Sequence, residues 1–291
     1  DIEPALRFHD IYISGVISAS NSSDYGIGGV IGSSYIKFAP GIEAHLFEDI
    51  CINIDFSLSD LDADYGGVGN LLGISWANDQ AQEIYKNISV TGNLLESATS
   101  NVGLLVGGDW SDNNFTFENV CITNQGALPN IGKEEGSGTH TYINTPATGD
   151  CLECDAATEP PVVRCTQCPP DDIMFYDAVN LDPVTTRTGG EIIVEIANIA
   201  EWKAYMSING DDLDGIHIDI TGDLDFTGET SSGCLKIRNQ GTINGNGHAF
   251  LNCNFDNEVI SYMAGAEVCN IRILNSTPTS NWFYLIEYAY E

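Results

Sequence analysis

Phe117-Glu118-Asn119-Val120-Cys121-Ile122 carries the pattern on which the fold turns: apolar, any, Asn or Asp, apolar, any, apolar. The same pattern reads Phe8-His9-Asp10-Ile11-Tyr12-Ile13, then Phe47-Glu48-Asp49-Ile50-Cys51-Ile52, then Tyr85-Lys86-Asn87-Ile88-Ser89-Val90. The starts of these four copies are 39, 38 and 32 residues apart, and a fifth, Val268-Cys269-Asn270-Ile271-Arg272-Ile273, stands far down the chain. The alternation of β-branched and apolar residues marks each copy as a short strand with one buried face. The recurring Asp or Asn has two readings. It is a turn residue bonded to local backbone, or one step of a ladder of side chains stacked along the molecule.

A second pattern follows the first three copies by about twenty residues. It is Gly28-Gly29-Val30-Ile31-Gly32, Gly69-Asn70-Leu71-Leu72-Gly73 and Gly103-Leu104-Leu105-Val106-Gly107, followed in turn by Tyr35, Trp76 and Trp110. Its glycines predict sharp bends at positive φ around a second buried strand. One such unit cannot bury its own apolar face. Stacked units can, with coils about 4.8 Å apart. The expected fold class is therefore all-β, a parallel β-solenoid.

The Gly-x-apolar-apolar-Gly signature resembles the GLUG repeat of surface-exposed β-solenoid proteins, over about residues 5–127. Farther on, His217–Phe226 alternates as a strand, and Gly241-Thr242-Ile243-Asn244-Gly245-Asn246-Gly247-His248 follows. That run resembles a coil opening of pectate-lyase-like right-handed β-helices, over about residues 210–291. The resemblance implies a short capping helix ahead of the first strands, and the stretch near 190–206 containing Trp202 is expected to form it. Three regions result: a solenoid over 1–127, a Gly/Pro/Cys linker over 128–172, and a second β-helix segment over 173–291 that is incomplete at its C-terminal side.

Forty-two acidic residues against 10 basic ones give a net charge of −32. Such a chain cannot neutralise phosphates, which excludes ordinary nucleic-acid binding and attachment to an anionic membrane. No apolar run is long enough to span a bilayer. The charge favours solubility and cation attraction. Asp60-Leu61-Asp62-Ala63-Asp64 before Gly66 resembles a calcium loop, although the glycine is one place late and the distal Glu is missing. Asp60, Asp62 and Asp64 are the metal candidates, with a solvated acidic loop as the alternative. Asp211, Asp212 and Asp214 form a weaker set.

Four sequons, at Asn21, Asn87, Asn114 and Asn275, together with nine cysteines, point to an extracellular or cell-surface glycoprotein. Cys151, Cys154, Cys165 and Cys168 form two C-x-x-C pairs in the linker. In an oxidising compartment they are disulfides of open pairing; in the cytosol the same spacing is a zinc site. Among Cys234, Cys253 and Cys269 one bridge is expected. Cys51 and Cys121 lie two repeats apart, too far to bond each other, and are expected as buried thiols.

No catalytic residue is assigned. Polygalacturonase-like enzymes use paired Asp residues, a Gly-His-Gly and a basic clamp, whereas here Gly247-His248 runs into Ala249 and the basic residues are scattered. The function expected is structural: a self-associating subunit of a surface filament, appendage or surface layer, or an adhesin stalk, without catalysis. The alternatives are a carbohydrate-binding module using Tyr35, Trp76 and Trp110, and a β-helix polysaccharide lyase or hydrolase.

Overall fold

The structure, a computed structural model, describes residues 6–20, 26–34, 44–59, 67–76, 80–92, 101–123, 128–145, 173–177, 191–209, 216–229, 235–237, 242–253, 260–263, 267–276 and 286–290. Each repeat forms one coil. The first supplies β1 (Arg7–Ser20), β2 (Ile27–Gly28) and β3 (Ile31–Ser34). The second supplies β4 (His45–Ser59), β5 (Val68–Gly69) and β6 (Leu72–Ser75). The third gives β7 (Gln82–Val90), β8 (Val102–Gly103) and β9 (Val106–Asp109). Then come β10 (Asn114–Ile122), β11 (Ile131–Glu134) and β12 (His140–Ile143).

The later part holds β13 (Ile173–Asp177), β14 (Glu191–Ile196) and the helix α1 (Ile199–Asn209). After them run β15 (Ile216–Ile220), β16 (Leu224–Asp225), β17 (Leu235–Ile237), β18 (Thr242–Asn244) and β19 (Ala249–Leu251). The last are β20 (Ile260–Met263), β21 (Glu267–Ser276) and β22 (Ile286–Tyr290). All pairings between strands are parallel.

The two parts share their sheets. The largest sheet runs β12-β10-β7-β4-β1-β21-β18-β15-β14-β13, and a second runs β11-β9-β6-β3-β22-β20-β17. The first coil therefore lies against the last: Phe8 is level with Val268, Ile11 with Ile271 and Ile13 with Ile273, and Ile31 is level with Ile286. The second segment, expected to be incomplete at its C-terminal side, does not end the stack. β22 has β20 on one side and β3 on the other.

Inside the stack, like sits on like. Phe8, Phe47, Tyr85, Phe117 and Tyr142 form one column, with successive rings stacked 5.1, 4.8, 5.3 and 5.5 Å apart. Aromatic pairs at such spacing add about 0.5–1.5 kcal/mol each beyond area burial. Ile50, Ile52, Ile88, Val90, Val120 and Ile122 continue the core beside them.

Three local expectations change. The glycines of the second motif do not stand at positive φ; that conformation falls on the Asp/Asn residues of the first. The glycines are required by close approach between coils. A Cβ on Gly107 would meet the Val68 nitrogen and Gly67, and one on Gly69 would meet the Leu72 and Leu105 carbonyl oxygens. Residues 128–145, expected as linker, form one more rung. Ile131 lies on Val106, Phe115 faces His140 and Phe117 faces Tyr142.

Finally, Glu191–Ile196 is a strand and the helix begins at Ile199. The Asn198 side chain accepts from the Ala200 and Glu201 N–H groups, while the Glu201 carboxylate accepts from the Ala197 N–H, a reciprocal cap that sets the helix start. The helix buries Trp202 edge-on against Phe226 and Phe250.

Gly107→Ala is expected to lower stability by about 1–3 kcal/mol, the range for forcing extra atoms into a packed interior. A denaturant midpoint that does not move would contradict the close-approach account.

Candidate functional site

Two polar systems stand out among the described residues: a ladder along the corner of the coils and a cluster sealed inside them. The ladder residues Asp10, Asp49, Asn87, Asn119, Asn144 and Asn270 all adopt left-handed backbone, with φ between 45° and 55°. Asn and Asp tolerate this conformation better than other side-chain-bearing residues. Stacking aligns their side chains. Asn87 donates to Asp49 (3.1 Å), Asn119 to Asn87 (3.2 Å) and Asn144 to Asn119 (2.9 Å). Asn270 donates to Asn244 at 3.0 Å. Of the two readings left open by the sequence, the geometry is that of the ladder.

On the first coil the ladder places Asp10 beside the acceptor Asp49 on one side and, across the seam between the two parts of the chain, beside Asn270 on the other. His9 compensates at that place. Its Nδ1 lies 2.7 Å from Asp10 and its Nε2 3.1 Å from Glu267, which is buried on β21. Burial works against the His9 charge, but the two carboxylates outweigh it and hold the imidazole up to about 9. One imidazolium thus ties β1 to β21.

The internal cluster joins β7, β9, the 110–113 turn and β12. Asn113 Nδ2 (2.9 Å) and the Tyr85 hydroxyl (2.8 Å) donate to Glu83. The Ser111 hydroxyl donates to Asp109 Oδ1 at 2.6 Å, and His140 Nε2 lies 2.8 Å from Asp109 Oδ2. Glu83, Asp109, Ser111 and Asn113 have no exposed surface. Burial pushes the Glu83 carboxyl up to about 7, against the pull of its donors and with the nearby Asp109 charge adding to the rise. A hydroxyl, an imidazole and a carboxylate meet here, but the carboxylate sits in the middle. Activating a hydroxyl needs the imidazole there. The arrangement locks neighbouring coils together.

The sequence did not single out Glu83, Asp109 or His140. The available signal was phase: Asp109, Ser111 and Asn113 alternate, as do Ala81, Glu83 and Tyr85, so the polar residues fall on the inward face.

The sequence candidates are placed as follows. Asp60, Asp62, Asp64, Asp211, Asp212, Asp214, Asn21, Tyr35, Cys151, Cys154, Cys165, Cys168 and Cys234 lie outside the described residues. Among the described residues no group of three His, Cys, Asp or Glu is arranged to hold a metal ion, and no helix is long and apolar enough to cross a membrane. Asn275 is exposed. Asn114 accepts from Thr139 through its Oδ1. The Asn87 amide nitrogen, to which a glycan would attach, is engaged by the ladder.

Trp76 and Trp110 stack on each other, 4.9 Å apart at 12°. Lys133 lies over the Trp110 ring, and the Trp110 indole N–H donates to Glu135. Trp110 thus has protein against both ring faces, and Trp76 against the face turned to Trp110. Cys253 is a buried core thiol outside any disulfide. Cys269, Cys51 and Cys121 are disulfide-bonded, which corrects the expectation that the last two remain thiols.

Comparison with family models, with curated proteins and with solved structures found no match for this chain.

Two pH windows follow from the raised groups. Glu83 contributes stability that is full below about 4.5 and lost as pH rises through about 7. His9 contributes stability that is full below 6.5 and lost as pH rises through about 9. Melting temperature followed from pH 4 to 10 is expected to fall in both windows. Glu83→Gln should remove the first fall, on the order of 3 kcal/mol, and His9→Gln the second; a variant that keeps its fall would contradict the assignment. In the ladder, Asn119→Ala is expected to cost about 1 kcal/mol more than Asn119→Gly, because Gly keeps the left-handed backbone without strain. Equal costs in chemical denaturation would contradict that.

Proposed function

We propose that the protein is an extracellular structural protein, a self-associating subunit of a surface filament, appendage or surface layer. The observation that carries this reading is the pair of strands at the ends of the main sheet, which have no further strand beside them among the described residues. β12 ends the sheet at one side and β13 at the other. β12 displays Tyr142 and Ile143, which are 39% and 48% exposed. An uncovered strand edge is a template for pairing with another chain. All rungs run in the same direction, so a second copy adds at β12 through its own β13 in the same parallel register. That contact is head-to-tail, and such contacts build open assemblies. It also extends the aromatic column, which ends on Tyr142. The exposed Asn275 sequon and the disulfides fit an oxidising, glycosylating compartment, and the charge of −32 keeps the flanks of such an assembly apart.

Sedimentation and negative-stain electron microscopy of the purified chain test this. Concentration-dependent linear oligomers are expected, and Tyr142→Lys with Ile143→Lys should abolish them without lowering the melting temperature. A monodisperse monomer at high concentration, with and without calcium, would overturn the reading.

A further inference from the structure

Three of the four sequons place their asparagine among the described residues, at Asn87, Asn114 and Asn275. Asn87 sits inside the ladder with both ends of its amide engaged. Its nitrogen donates to Asp49 at 3.1 Å, and its oxygen accepts from Asn119 at 3.2 Å. Ser89, the hydroxyl residue of the same sequon, is 3% exposed. Asn114 fixes the end rung, since its Oδ1 accepts from the Thr139 N–H at 3.0 Å and from the Thr139 hydroxyl at 2.6 Å.

Asn275 differs because the register breaks beside it. Ile13 is level with Ile273, but Gly15 is level with Ser276. Leu274 and Asn275 of β21 therefore face the single residue Ser14 of β1, which is a β-bulge, and a bulge re-aims a side chain. Asn275 absorbs the extra residue in left-handed backbone, at φ 56°, a conformation that Asn tolerates.

The bulge also keeps Asn275 out of a ladder. On the neighbouring coil Leu251 is level with Leu274, so Asn252 is the matching residue, left-handed as well at φ 57°. Asn252 donates away from Asn275, to Asp225 at 2.9 Å and Thr227 at 3.0 Å. On the opposite side Gly15 has no side chain to offer. Asn275 is exposed, and no described residue hydrogen-bonds to its amide.

Its place along the stack is central. β21 is five strand steps from β12 and four from β13, about 24 Å and about 19 Å from the two ends at about 4.8 Å per step.

We propose that Asn275 carries an N-linked glycan and that the Asn87 sequon stays bare. This rests on the extracellular reading above, which supplies a glycosylating compartment. In the reaction the Asn275 amide nitrogen attacks the anomeric carbon of an oligosaccharide carried on a lipid diphosphate. The new C–N bond replaces the C–O bond to phosphate, the lipid diphosphate leaves with the bonding pair, and the nitrogen gives up one proton. A sugar on the Asn87 nitrogen would stand against Asp49 and part the ladder. Whether attachment precedes or follows stacking, only a chain modified where the amide points to solvent completes the stack. A glycan at Asn275 is bulky and solubilising. It projects from the flank, so it opposes side-by-side contact between stacks and leaves both end strands clear.

Glycopeptide mass spectrometry of the protein from its native source tests this, with enzymatic release in heavy-oxygen water, which turns each glycosylated Asn into a labelled Asp. Label at position 275 and an unlabelled Asn87 are expected. Label at position 87, or a bare Asn275 in a chain glycosylated at another sequon, would overturn the proposal and leave the extracellular reading standing. No label at any sequon, with every cysteine found as a thiol, would remove that reading and the proposal with it. In a glycosylating host, Asn275→Gly should lower the intact mass by one glycan without moving the melting temperature, because Gly keeps the left-handed backbone. Asn87→Gly should lose no glycan mass and should lower the melting temperature, because the ladder loses a rung. Loss of a glycan with Asn87→Gly would contradict the proposal.

Discussion

Parallel stacking at one residue per rung is the constraint on which the rest of this structure depends. When coils repeat at about 4.8 Å, each side chain meets its counterpart one repeat away, so a column works only if its members suit one another. Aromatics do, and Phe8, Phe47, Tyr85 and Phe117 stack face to face. Amides do, because each donates upward and accepts from below, which gives the ladder through Asn87, Asn119 and Asn144. Glycines do where backbones touch, as at Gly69 and Gly107. Carboxylates do not, and that is where the molecule adds other groups. His9 stands by Asp10 and Glu267, and Asn113 and Tyr85 donate to Glu83.

The same constraint explains how one stack is built from a chain that visits it out of order. β13 through β22 form the coils on one side of β1, and β4 through β12 form those on the other. The seam at β1 and β21 uses the same register elements as every other junction, with Asp10 beside Asn270 and Phe8 beside Val268. It differs in a register shift between Ile13 and Gly15, in the end of the aromatic column at Phe8, and in the His9 imidazole that spans it. Local repeats therefore fix neighbours within each half, while the junction of the halves rests on a few matched positions and one charge.

Much of this was legible in the sequence. Five copies of the apolar-x-Asn/Asp pattern mark five rungs, including Val268–Ile273, whose likeness to the N-terminal copies is explained by its pairing with the first. The all-β parallel class followed from those copies. The order of the coils did not, because periodicity reports which residues face inward but not which coil lies beside which. The rung at 140–143 escaped notice because Leu128 stands where the motif has its first glycine, and Thr145 where it has an apolar residue. The sealed cluster escaped because Glu83, Asp109 and His140 are far apart in sequence and meet only through stacking. Positive φ was assigned to glycines that lie flat against neighbouring backbone, when the Asp/Asn of the first motif carries the turn.

The continuous stack is tested most directly by a distance between nitroxide labels at positions 118 and 195, on β10 and β14. Register carries Glu118 through Lys86, Glu48, His9, Cys269, Asn244 and Asp219 to Glu195, seven rung steps. At about 4.8 Å per step the account expects one narrow distribution centred near 34 Å by double electron–electron resonance. A broad distribution, or a centre far from that value, would show that the two halves do not share a sheet and would contradict the account.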